Sequence, residues 1–235
     1  MKRSLSNKIR YLMDDWLPPV IRDARWFMVP LLRIWFKNDV GNVVAFKERA
    51  YQISEDEFYK IYNENKSLGN DRPTDLSEKS IEWIEKKCIK GAHSLLDVGV
   101  GRGFFAGKMV GKFTRVAGCD ILDAIKINGV EYRKASIENL PYHDKEFEVV
   151  TCFHTLEHTR HLELAIREIQ RVCSKQLLIV VPRQRAYQYT FDHHLHFFPF
   201  SYSLARYFLN GKVNVCCLDG DWHLEWTPDN SQATV

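Results

Sequence analysis

The sequence predicts an α/β fold: a doubly wound, mostly parallel seven-stranded sheet with a helical N-terminal extension and a C-terminal antiparallel hairpin. Three observations predict it. After residue 90, short apolar runs alternate with segments whose apolar residues recur at helical spacing, the pattern of a parallel sheet covered on both faces. The first run, Ser94–Val98, ends in closely spaced glycines and opens a helix. Near the end, Asp219-Gly220 separates two strand-like runs, as in a hairpin.

The elements follow in order. Before residue 90 the reading is helical: Asp56–Glu64 is amphipathic, and Ser77–Lys90 carries the apolar residues Ile81, Trp83, Ile84 and Cys88. Asn65–Thr74, with Gly69 and Pro73, reads as a loop. Beyond it, strands are expected at Ser94–Val98, Arg115–Ile121, Glu131–Lys134, Glu148–Phe153 and Gln176–Val181. Helices are expected at Phe104–Val110, Leu162–Val172 and Ser201–Leu209, and the hairpin pairs Lys212–Leu218 with Trp222–Thr227. The boundary near residue 90 divides an extension or lid, 1–90, from the sheet domain, 91–235.

Charge is unevenly spread over the 235 residues. The net +3 resolves into +4 for residues 1–40, −1 for 41–90 and a balanced remainder. A sheet domain with no positive surplus is not built to track phosphates, so no nucleic-acid partner is expected. The six cysteines form no C-x-x-C pair, and several lie in apolar runs, which reads as reduced thiols in a cytoplasmic protein. The most apolar early stretch, 16–36, is broken by three prolines and four charges and cannot cross a bilayer as an ordinary helix. It does combine arginines with Trp16, Trp26, Phe27, Trp35 and Phe36. Two readings stay open: a lid packed over the crevice or against a partner subunit, and peripheral contact with a membrane surface. Oligomeric state is not legible.

The strongest local signal is Leu95-Leu96-Asp97-Val98-Gly99-Val100-Gly101-Arg102-Gly103. A strand running into such glycines lets backbone approach a ligand at the carboxyl edge of the sheet. The spacing is G-x-G-x-G, with Phe104 where a dinucleotide fingerprint wants its last glycine, which disfavours a nicotinamide oxidoreductase. Asp120 ends the second strand, 23 positions after Asp97, where an acid can receive both hydroxyls of a ribose.

This constellation resembles the class I S-adenosylmethionine-dependent methyltransferases, and the likeness spans roughly residues 80–200. Ala135-Ser136-Ile137-Glu138-Asn139-Leu140-Pro141-Tyr142 looks like the family's adenine-proximal segment. Phe153-His154-Thr155-Leu156-Glu157-His158 resembles the strand-four exit of its small-molecule, type 11-like subgroup, which includes quinone-biosynthesis enzymes, and Arg167–Val172 the helix that follows. The resemblance implies S-adenosylmethionine as cofactor and a Rossmann-like methyltransferase domain over 91–235. It places Asp97, Gly99, Gly101 and Gly103 around the methionyl part and ribose, and Asp120 on the ribose hydroxyls. Ile121 packs on adenine, Ser136 and Ile137 meet the adenine edge, and Phe153 and His154 lie near the sulfonium. Ser136 stands where the subgroup usually has an Asp, and Cys173-Ser174-Lys175-Gln176 replaces its usual glycine-rich turn.

A hydroxyl or phenol acceptor gains from proton removal, a task suited to histidine. His154, His158 and His161 follow the fourth strand; His193, His194 and His196 follow the fifth. Both groups therefore face one crevice, with His158 the first candidate for general base and His194 and His196 behind it. No H-E-x-x-H or comparable spacing is present, so no metal site is expected. The expected activity is methyl transfer, at oxygen, to a small-molecule or lipid- or glycan-linked acceptor; a catalytically silent cofactor-binding partner is the alternative.

Overall fold

The computed structural model describes residues 8–64, 73–123 and 126–229. Its sheet has seven strands: β1 Ser94–Val98, β2 Arg115–Asp120, β3 Glu131–Lys134, β4 Phe147–Phe153, β5 Cys173–Pro182, β6 Gly211–Leu218 and β7 Asp221–Pro228. Their spatial order is β3-β2-β1-β4-β5-β7-β6. The first five run parallel, and the hairpin β6–β7 adds two antiparallel strands at the β5 edge. The order reverses beside β1, so the carboxyl ends of β1 and β4 diverge into a crevice.

Consecutive residues of a strand point to opposite faces, which explains why the central strands are apolar throughout. Leu96, Val150, Leu177 and Ile179 face one core with Leu162, Ala165, Ile166 and Ile169 of the helix Leu162–Val172. Their neighbours Leu95, Val149, Leu178 and Val180 face a second core. That core is covered by Phe105, Ala106 and Met109 of the helix Phe104–Met109 and by Ile84 of the helix Glu78–Lys87. The last of these starts where Ser77 Oγ accepts the Ser80 N–H at 3.0 Å, an N-cap.

In chain order the helices are α1 Pro19–Arg22, α2 Arg25–Phe36, α3 Val40–Arg49, α4 Glu55–Glu64, α5 Glu78–Lys87, α6 Phe104–Met109, α7 Leu162–Val172 and α8 Ser201–Ala205. A π-helical turn, Leu12–Trp16, precedes α1. The early helices pack on the segment after β5 rather than on the sheet. Met13 and Met28 bury against Tyr187, and Phe46 and Phe58 cluster with Leu195. Polar ties run the same way: Arg22 Nη2 donates to Ala186 O at 3.1 Å, and Tyr62 Oη to His193 O at 2.6 Å.

Three elements differ from expectation by more than one residue at an end. The helix expected over Ser77–Lys90 stops at Lys87, where Cys88 leaves helical backbone at ψ 128°. β5 starts at Cys173 rather than Gln176, because Cys173 pairs with Phe147 ahead of a register shift and extends the ladder. α8 ends at Ala205 rather than Leu209; tight turns follow, with Tyr207 N donating to Leu204 O and Phe208 N to Ala205 O. All six cysteines are free. Among the described residues, no helix is long and apolar enough to cross a membrane. Of the expected loop Asn65–Thr74, residues 65–72, including Arg72, lie outside the described residues.

Candidate functional site

A crevice of about 350 Å³ opens at the carboxyl ends of β1, β2 and β4, a size within the range of small-molecule sites. The loop after β1 forms its floor. Gly99 N and Val100 N both donate to Cys119 O, at 2.8 and 3.1 Å, folding the loop back onto β2. Gly99 has φ +73°, and a Cβ there would lie 2.0 Å from Thr155 Oγ1. Gly101, at φ +51°, faces open space, with nothing within 4 Å of a notional Cβ. Gly103 does not line the crevice; it turns the chain into α6 at φ +77°, with Ile127 2.0 Å from its notional Cβ.

Two acids stand at the floor. Asp120 Oδ2 accepts the Gly101 N–H at 2.8 Å and Oδ1 the Leu122 N–H at 3.2 Å, and the Ile121 N–H also faces the carboxylate, which keeps accepting capacity for a ligand. Burial raises the Asp120 carboxyl above its usual range. Asp97 is buried more deeply, and burial lifts it to about 7 although Thr151 Oγ1 donates to it at 2.7 Å.

The remaining expected cofactor residues, Ile121, Ser136, Ile137, Phe153 and His154, all line the crevice. Phe153 is held edge-on by Phe105, with centroids 5.0 Å apart. His154 sits at the strand exit with φ 50°, a left-handed conformation uncommon for a side-chain-bearing residue, its N–H donating to Val180 O at 2.8 Å. Its Nδ1 lies 3.4 Å from Glu157 Oε1 and its Nε2 3.5 Å from Asp221 Oδ2. Burial alone would lower its pKa, but Asp221 and Glu157 hold it up at about 10. Arg10 Nη2 donates to Gly220 O at 3.0 Å and Asp221 Oδ1 at 3.2 Å, joining the N-terminal segment to this group.

The two histidine groups meet, but only partly in the crevice. His158 lines it; His194 packs behind with ring centroids 4.8 Å apart, and His196 lies beyond. Leu195 N and His196 N both donate to Glu157 O, at 2.8 and 3.1 Å, pinning the segment after β5 to the turn after β4. Burial lowers the pKa of His194 far below the ordinary histidine value and lowers that of His196.

Sequence reasoning missed the aromatic wall. Phe58, Tyr59 and Tyr62 of α4 line the crevice, and Tyr62 Oη lies 3.4 Å from His158 Nδ1. The i, i+4 spacing of Phe58 and Tyr62 signals a shared helix face, though not what that face meets. The Trp-rich early segment does not form this wall: Trp16 and Trp26 are 69% and 72% exposed.

Comparisons with known proteins agree with this architecture. Residues 96–181 match the family model described as "Methyltransferase domain". A ubiquinone biosynthesis O-methyltransferase of Thiobacillus denitrificans is 29% identical over 131 residues, 51% of this chain and 52% of that protein. The chain thus spans about half the length of the curated relatives it matches. Among solved structures, an S-adenosylmethionine-dependent methyltransferase from Aquifex aeolicus aligns with TM-score 0.51 at 13% identity, covering 75% of this chain and 100% of its own. A protein from Pyrococcus horikoshii OT3 aligns with TM-score 0.54 at 16% identity, covering 74% and 99%. At these identities the structural likeness speaks for the fold alone.

Proposed function

The chain carries a class I S-adenosylmethionine-dependent methyltransferase domain, and we propose that it transfers a methyl group to the oxygen of a small-molecule acceptor, one borne on a lipid. The observation that carries this reading is the glycine floor with Asp120 beside it. Three features suit the cofactor: open space over Gly101, the Asp120 carboxylate at the edge of the crevice, and buried Asp97 available to pair with an amino group.

In this reading Asp97, Gly99 and Gly101 border the methionyl part and ribose, and Gly103 shapes the turn beside them. Asp120 receives the ribose hydroxyls, Ile121 packs on adenine, Ser136 and Ile137 meet the adenine edge, and Phe153 and His154 lie near the sulfur. When bound, S-adenosylmethionine supplies a methyl group on a sulfonium, already activated for displacement. What is left to the chain is alignment of the acceptor, exclusion of water, and removal of the hydroxyl proton. Phe58, Tyr59 and Tyr62 wall the acceptor side. His158, the crevice-lining member of its cluster, accepts the proton, with His194 and His196 fixing its surroundings.

The lipid-borne acceptor is supported by the outer face of the N-terminal helices. Val20, Trp26 and Ile34 are 79%, 72% and 76% exposed, and α2 carries Arg25 and Arg33 with no acidic residue. Exposed tryptophan beside arginine suits an interface with anionic lipid. The test of the activity is transfer of labelled methyl from S-adenosylmethionine into a lipid extract. Label in an alkali-stable ether of the organic phase is the expected result; no transfer to any lipid or water-soluble fraction would favour a silent cofactor-binding protein.

A further inference from the structure

Two chain neighbours and one distant side chain converge at the inner edge of the crevice. One donor atom from each of Glu157, His158 and His194 lies within 4.8 Å of the other two. Glu157 and His158 come from the turn after β4, and His194 comes from the segment after β5.

Their hydrogen bonds decide what they can offer. His194 Nδ1 lies 2.6 Å from Gln184 Oε1, and the Gln184 amide nitrogen donates to Tyr187 Oη at 2.9 Å, so the amide oxygen faces the imidazole. His158 Nδ1 lies 3.2 Å from His193 O. A carbonyl oxygen can only accept, so both rings carry their proton on Nδ1 and present the Nε2 lone pair. Metal-ligating histidines are held in this way, the second nitrogen fixed by a carbonyl or carboxylate. Glu157 is 1% exposed, and its Oε2 is buried with no hydrogen-bond partner among the described residues, while Oε1 faces His154 at 3.4 Å. An unpartnered buried carboxylate oxygen is costly unless something positive meets it.

We propose that Glu157, His158 and His194 form a divalent-cation site adjoining the crevice, suited to Zn²⁺. Two imidazoles and one carboxylate are a zinc donor set that leaves a coordination position open, as catalytic sites do. Zinc ligands sit roughly 3.4 Å apart at ordinary bond lengths, so the donors, now within 4.8 Å of one another, have to draw together by about 1.4 Å at most to hold the ion. The turn and the loop that carry them are already pinned together through Glu157 O. The role of the ion rests on the methyltransferase reading: with Nε2 coordinated, His158 no longer accepts the proton itself, and the ion instead lowers the pKa of the acceptor hydroxyl, whose proton passes to solvent. The existence of the site does not rest on it.

The experiment is calorimetric titration of the chelator-stripped full-length chain with ZnCl₂ alone, without cofactor or acceptor, alongside Co²⁺ loading read by visible absorption. One equivalent of Zn²⁺ and a tetrahedral Co²⁺ spectrum are expected. His158→Ala and Glu157→Gln should weaken binding at least 100-fold, and Gln184→Leu, which leaves the ligands in place, 10- to 100-fold. Half-buried His158 keeps the test usable if a substitution at Glu157 prevents folding. Absence of stoichiometric Zn²⁺ binding, or binding unchanged in His158→Ala, would overturn the site. Because no nucleoside is present, either failure is distinct from a failure to bind S-adenosylmethionine.

Discussion

Asp120 Oδ2 accepts the backbone N–H of Gly101 at 2.8 Å, tying the end of β2 to the glycine loop that follows β1. One carboxylate thus shapes the floor of the crevice and stays available above it. Asp120→Ala should weaken S-adenosylmethionine binding by about 1–3 kcal/mol, the cost of losing hydrogen bonds to a charged group. Calorimetry checks this, with circular dichroism to show that the fold is retained. Unchanged affinity would remove Asp120 from the cofactor site.

Gly99→Ala should be damaging for two independent reasons. The residue has φ +73°, and the added Cβ would lie 2.0 Å from Thr155 Oγ1, so both backbone strain and a clash result. A loss of about 1–3 kcal/mol of stability is expected from the backbone conformation alone. Gly101→Ala carries the same kind of left-handed strain, at φ +51°, but not the clash, since its notional Cβ meets nothing and intrudes only on the ligand space. Comparing the two by thermal unfolding and cofactor titration separates fold from binding: Gly99→Ala lowers the melting temperature more, and Gly101→Ala chiefly lowers affinity.

Much of this floor was legible in the sequence, for a physical reason. Strand periodicity and glycine spacing are local, so Ser94–Val98, Glu131–Lys134 and Leu162–Val172 were expected at the bounds the structure shows. The Asp219-Gly220 hairpin is local too, with Asp219 at φ 48° and Gly220 at φ +82°. Contacts between distant segments left no such mark. The wall formed by Tyr62 depends on how the early helices clasp the segment after β5, whereas the approach of His158 and His194 was expected from the strand ends and only the burial of His194 behind the crevice was not. α2 also runs through Pro30, a residue that reads as a breaker; burial of Met28 and Leu32, one turn apart, holds the helix across it.

His154 makes stability depend on pH with a definite sign. Its folded pKa, about 10, lies above the ordinary value of about 6.5 because Asp221 and Glu157 flank it. A raised basic group contributes fully below about pH 6.5 and loses that contribution as pH rises toward 10. Unfolding free energies from urea titrations between about pH 6 and pH 9.5 should therefore fall with pH, and His154→Gln should flatten the slope. An equal slope in the variant would place the titration elsewhere.

The exposed face of α2 should bind anionic membranes. Co-sedimentation with vesicles containing phosphatidylglycerol is expected for the wild type, and at least a tenfold loss for a Trp26→Ser, Ile34→Ser double variant. Both residues are more than 70% exposed, so the variant should fold normally. Retained sedimentation would place the membrane contact elsewhere, and a change of oligomeric state in the variant without lipid would assign this face to another copy of the chain.

Whether the crevice at the carboxyl ends of β1, β2 and β4 holds S-adenosylmethionine is decided by calorimetric titration of the full chain with S-adenosylmethionine, its demethylated product and NAD. Saturable one-to-one binding of both sulfur nucleosides, weakened by Asp120→Ala, is the predicted result. Binding of NAD with neither sulfur nucleoside, or sulfur-nucleoside binding indifferent to Asp120, would contradict it.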